Sequence, residues 1–138
     1  MPELNILEYS SDISSAEAPP PLPVGEYPAT IESVEAKTSA TTGNDYLSVS
    51  FRIASDDFPA DFDGSMYDNG LMLAYNRLVV DDNPRARYAM RKFCEAIGAK
   101  TGKQIDPNSF IGLNAKVKIT HQSYEGEQRA QIAGLAAA

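Results

Sequence analysis

The sequence has no tryptophan, one histidine and one cysteine among 138 residues. A single cysteine forms no intramolecular disulfide, so a reducing compartment is expected. No apolar run is long enough to span a membrane. The N-terminus lacks the basic region followed by an apolar stretch that marks a secretory signal. A cytoplasmic protein is therefore expected. There is no phosphate loop, no GxGxxG, no HExxH and no cysteine pair. The aspartates of DDFPADFDG lack the D-x-[DN]-x-[DN]-G spacing and distal Glu of a calcium loop, so a solvated or partner-facing loop is expected there. No catalytic constellation, metal or cofactor is expected, and a small enzyme is the weakest reading because no group looks poised for chemistry.

What is present fits one compact, β-rich domain with a tail. The apolar fraction of 43% allows a real core, and nine prolines and nine glycines supply turns. The formal net charge is −7. Its distribution matters more than its sum. Residues 1–24 carry Glu3, Glu8, Asp12 and Glu17 and no base; residues 56–68 carry Asp56, Asp57, Asp61, Asp63 and Asp68 and no base. Those nine of the 19 acids leave ten against 12 bases elsewhere, so the body is mildly basic. That excludes a strongly cationic duplex-DNA binder and leaves room for a basic groove.

The chain is organised around DNPRARYAMRKFCEAIG, Asp82 to Gly98. Asn83 or Asp82 can cap its first amides, Pro84 suits the first helical position, and Gly98 can close the helix. Ala86, Ala89, Met90, Phe93 and Ile97 recur at helical spacing with Cys94 beside them, which predicts an apolar stripe and an inert core thiol. Arg85, Arg87, Arg91, Lys92 and Glu95 take the opposite face. Arg85 and Arg87 oppose the helix dipole and are expected to pair with Asp81 and Asp82, or else to face an anion.

Residues 1–23, ending in APPPLP, read as an acidic, proline-rich arm, flexible or loosely docked, whose Leu4, Ile6, Leu7 and Tyr9 are available to a partner. The domain is assigned to 24–138. Gly25 to Lys37 alternates as a strand, with Pro28 at an edge or bulge. Tyr46 to Ala54 is the clearest strand: Leu47, Val49, Phe51 and Ile53 face the core, and Tyr46, Ser48, Ser50 and Arg52 face away. Ser55 to Asn69 is a long acidic loop with Phe58, Phe62, Met66 and Tyr67 interleaved, which points to function or mobility. Gly70 to Val80 is a third strand of open parity, with Tyr75 and Arg77 on one face and Asn76 and Leu78 on the other. Ala115 to His121 alternates again, with Lys116 and Lys118 on the polar side and His121 on the apolar side, where a packed, hydrogen-bonded imidazole is expected. SYEGE turns the chain into a last strand, Gln128 to Leu135.

Three strands, one helix and two strands predict a mainly β fold: the five-stranded Greek-key barrel of oligonucleotide/oligosaccharide-binding (OB) domains, with its helix between strands 3 and 4. A sandwich would want more strands and no central helix. On that order the polar-face residues gain a common reading. Lys116, Lys118, Arg52, Arg77 and Arg129 are cations that can track phosphates; Tyr46, Tyr75 and Tyr124 are rings that can stack bases. Taken singly, each also fits an ordinary solvated sheet face with snorkelling bases and half-buried tyrosines. A protein-interaction or virion structural module without nucleic-acid binding is the alternative, motivated by the acidity, the loop with Phe58 and Phe62, and the apolar residues of the arm.

From Pro21 to Gly134 the sequence resembles a family of bacteriophage proteins that bind single-stranded DNA. The resemblance rests on PLPVGEYPATIESVEAK, TGNDYLSVSFRI, NPRARYAMRKFCEAIG, SFIGLNAKVKI and YEGEQRAQIAGL, in that order. It implies an OB barrel that coats single strands without sequence preference during phage DNA replication or recombination, in the host cytoplasm. It implies no enzymatic activity, and single-stranded DNA as the partner. The residues carried over by strand position are Tyr46, Arg52, Tyr75, Arg77, Lys116, Lys118 and Arg129. Many single-strand binders recruit partners through an acidic C-terminal tail; here the C-terminus is GLAAA and the acid is N-terminal. The arm is thus a candidate recruiter of replication or recombination proteins, with a plain solubilising tail as the default. A homodimer is compatible with an unpaired strand edge.

Overall fold

The computed structural model describes residues 6–16, 20–65, 67 and 69–138, without the side chains of Ser15 and Tyr124. Five strands, β1 (Gly25–Thr38), β2 (Asp45–Ile53), β3 (Leu71–Val79), β4 (Asn114–Tyr124) and β5 (Glu127–Ala136), form one antiparallel sheet in the order β3-β2-β1-β4-β5. The mainly β reading with one helix before β4 holds. The ladder is open where the expected barrel would close: β3 and β5 are its two edges. Because every neighbouring pair is antiparallel, these edges run in the same direction.

The helix α1 spans Pro84–Ile97. The Asn83 side chain accepts from the Ala86 N–H at 2.9 Å, and Gly98 closes the helix at φ 75°, a left-handed conformation that costs glycine little. Ala86, Phe93, Cys94 and Ile97 are buried and Met90 is half-buried. Ala89 is exposed, outside the stripe its spacing predicted, because the buried arc is narrower than the apolar one. Phe93 is the hub: it meets Phe51 edge-on at 6.5 Å, Phe110 at 5.5 Å, and Tyr75 stacked at 5.8 Å. The inward residues of β1, β2 and β4 complete the core: Ala29 and Ile31, Leu47 to Ile53 on alternate positions, and Ala115, Val117 and Ile119.

Three bulges bend the sheet. Between Ile31 and Ser33, Glu32 has no β2 counterpart; Asn76 and Arg77 together oppose Ser48; and Ala133 is the extra residue of β5. A bulge adds one residue and flips parity beyond it. That is why Tyr75 and Leu78 both point inward, while Arg77 is exposed. The shared face expected for Tyr75 and Arg77 does not exist. Pro28 lies where β1 pairs with β4 alone, since its ladder with β2 starts at Thr30, so the missing N–H interrupts nothing.

The packed body begins inside the stretch assigned to the arm. Leu22 is fully buried, and its carbonyl oxygen lies 2.7 Å from His121 Nε2. The Tyr27 hydroxyl donates to Pro23 O and the Tyr67 hydroxyl to Pro20 O. The half-buried His121 is therefore a clasp on the proline-rich segment. The acidic loop is also held. Phe58, Phe62 and Tyr67 form an aromatic cluster with centroids 5.3–6.2 Å apart. Phe58 and Phe62 pack against the core. Met66, interleaved with them in sequence, lies outside the described residues.

Candidate nucleic-acid interface

Arg52, Thr30 and Asn114 form one cross-strand row through β2, β1 and β4, tied by Thr30 Oγ1 donating to Asn114 Oδ1 at 2.7 Å. Two residues along β4 stands Lys116, opposite Pro28 on one side and Ala136 on the other. Two further stands Lys118, opposite Glu26 and Gly134. Lys116 and Lys118 are exposed, and their neighbours on β5 are too small to cover them. Arg52 lies two strands and two residues from Lys116, roughly 12 Å between Cα atoms by sheet spacing. The strands thus bring these three cations together as a basic track. Arg52 is tempered by Glu32, whose Oε1 is 3.6 Å from its Nη1. At such exposure the pair is weak and an anion can compete for the guanidinium.

The other expected residues are dispersed. Tyr46 is half-buried at the opposite end of β2, about 20 Å from Arg52. Lys37 is its register partner on β1. Tyr75 is turned into the core against Phe93, where its ring face is already stacked. Arg77 reaches across the open edge and donates from Nη1 to Ala133 O at 3.3 Å. Arg129 is exposed near the start of β5, with Nη2 3.7 Å from Glu127 Oε2, and lines a cavity of about 320 Å³ with Leu71, Leu73 and Leu22. Tyr124 belongs to β4, but its side chain lies outside the described residues.

Sequence reading missed Glu26, Glu32 and Lys37. Glu26 was legible, because it shares the alternation of Gly25–Lys37, but its position opposite Lys118 needs the register. Glu32 reaches Arg52 through a bulge that leaves no periodic trace. Among the described residues no cluster of His, Cys, Asp or Glu fits a metal ion. Burial pushes the Cys94 thiol pKa above its usual value. Burial and the negative charge of Asp61 push Tyr27 up likewise.

A family profile described as protein of unknown function (DUF669) matches residues 9–137. No curated protein matches the chain.

Proposed function

For this chain, which belongs to the DUF669 family of proteins of unknown function, we propose a non-enzymatic, sequence-independent single-stranded DNA-binding role on an OB-type barrel. The fold part of the reading is supported by the strand order β3-β2-β1-β4-β5, the helix between β3 and β4, and parallel edges approaching at Arg77 and Ala133. The observation that carries the binding part is the exposed pair Lys116 and Lys118, rising beside Ala136 and Gly134 and continued by Arg52. Cations over small neighbours let a phosphate backbone approach without steric cost, and a single strand needs no deep groove. Tyr46 supplies a ring at the far end of the face. The choice of DNA, and a role in phage replication or recombination within the host cytoplasm, follow from the sequence resemblance.

The test is a competition between a labelled poly-dT oligonucleotide and unlabelled duplex at low salt, with the full chain. The expected result is single-strand binding that duplex displaces poorly. The experiment is repeated with Glu3→Gln, Glu8→Gln, Asp12→Asn and Glu17→Gln in the same chain, so that the arm's charge does not mask the face. Absence of binding in both forms overturns the proposal. It then favours the interaction-module reading, whose specific support is the exposed Ile6, Leu7, Tyr9 and Ile13 of the arm.

A further inference from the structure

OB domains offer a ligand the surface across strands 2 and 3. In this chain that surface is short and neutral beyond Arg52. Ser50 opposes Ala74, and the Ser48 hydroxyl donates to Asn76 Oδ1. Arg77, on the edge strand, is turned to Ala133 O. The adjoining β1 adds acid. Glu32 sits on Arg52, and Glu35 opposes Ser48 with its Oε2 3.8 Å from Lys37 Nζ. A phosphate backbone leaving Arg52 in that direction meets carboxylates, which repel it.

The outer side of β4 differs. Asn114, Lys116, Lys118, Thr120 and Gln122 alternate with the buried Ala115, Val117 and Ile119 and the half-buried His121. Four of the five are exposed, and Thr120 is half-buried. Every second residue of a strand shares a face, so the row is about 26 Å long. It carries carboxamides, ammonium groups and one hydroxyl. Its β5 flank is low at the lysines, where Gly134 and Ala136 stand, and a Cβ on Gly134 would meet nothing within 4 Å. Further along, Gln131 opposes Thr120 and donates from Nε2 to its Oγ1 at 3.2 Å, and Arg129 opposes Gln122. On the β1 flank, Pro28 opposes Lys116 and Glu26 opposes Lys118. That ladder ends where Gly25 meets Ile119, and Val24 just before it is 62% exposed, an apolar surface for a base. Glu26 faces Lys118, and Glu127 is paired with Arg129.

We propose that the bound single strand lies lengthwise along β4, from Asn114 to Gln122, rather than across β2 and β3. This course rests on the single-strand-binding function proposed for the chain. Phosphates follow Lys116 and Lys118 towards Arg129. Base edges meet the carboxamides of Asn114, Gln122 and Gln131. A carboxamide both donates and accepts, so each base finds a partner, as sequence-independent binding requires. Thr30 donates to Asn114 Oδ1, which leaves the Nδ2 donors of Asn114 to a base. A row of this length suits about four nucleotides, the low end of OB site sizes.

The test adds one carboxylate to an exposed position on either course: Gln122→Glu on β4 and Ala74→Glu on β3. Affinity of the full chain for a labelled poly-dT oligonucleotide is read by fluorescence anisotropy at low salt, and circular dichroism checks that both variants are folded. Gln122→Glu is expected to weaken binding by about threefold or more, and Ala74→Glu by clearly less. A Gln122→Glu loss below about threefold, or an Ala74→Glu loss as large as that of Gln122→Glu, overturns the course along β4 while single-strand binding stands. A wild-type chain that binds no oligonucleotide overturns both.

Discussion

Arg77 and Ala133 meet across the open edge of the sheet, each in a bulge of its own strand. Arg77 shares the β3 bulge with Asn76, and Ala133 is the extra residue of β5. A bulge releases a backbone group from the ladder and bends its strand. The Ala133 carbonyl is taken up by the Arg77 guanidinium at 3.3 Å. A side chain thus spans the edge where no ladder bond does. Arg77→Ala is expected to lower stability by about 0.5–1.5 kcal/mol, the usual worth of one such bond. Oligonucleotide affinity is expected to change less than on removing Lys116 and Lys118. Urea denaturation and binding titrations on the same preparation check both parts.

The proline-rich segment before β1 is expected to be structural. Leu22 is fully buried, so Leu22→Ala should cost about 2–5 kcal/mol. His121→Phe leaves the Leu22 carbonyl without its imidazole partner and should cost about 1–3 kcal/mol. Chemical denaturation measures both. A near-neutral Leu22→Ala would contradict the docking of residues 20–23.

Two glycines separate conformational strain from collision. Gly70 has φ 87°, and a Cβ there would lie 2.5 Å from Ile53 O and 3.2 Å from Arg52 Nε. Gly43 has φ 74° and nothing within 4 Å of such a Cβ. Gly43→Ala should cost about 1–2 kcal/mol from the left-handed backbone alone. Gly70→Ala should cost more, because β2 must shift away from the added methyl. Thermal melts of the two variants read the difference.

Stability is expected to fall in alkali. Burial keeps the Cys94 thiol protonated in the folded chain to higher pH than its usual value of 9.0, and Tyr27 to higher pH than 10.0. As pH rises, the unfolded chain loses these protons first and is favoured. The stabilising contribution is therefore complete below pH 9 and declines above it, the thiol acting first and the phenol second. Melting temperatures across this range, with Cys94→Ala as the comparison, should show the first part of the decline removed.

The periodic parts of the fold were legible and the aperiodic parts were not. Pro84, Asn83 and Gly98 marked the helix because caps and proline act locally. Leu47 to Ile53 marked β2 because alternation repeats along a single strand. The positions of Tyr75 and Arg77 were misjudged because one bulge residue inverts parity without changing composition. Leu22 resembled its flexible-looking neighbours, since the hydrogen bond that holds its carbonyl comes from His121, 99 residues away in sequence. Of the site, the exposure of Lys116 and Lys118 followed from alternation. Their opposition to Glu26 and Gly134 required the register.

The measurement that bears most directly on single-strand binding is the salt dependence of oligonucleotide affinity, by fluorescence anisotropy, for the wild-type chain and for Lys116→Ala/Lys118→Ala. Each phosphate neutralised on a single strand contributes about −0.7 to the log–log slope, so losing two lysines should flatten it by about 1.4 and weaken binding at every salt concentration. An unchanged slope and affinity would contradict the account.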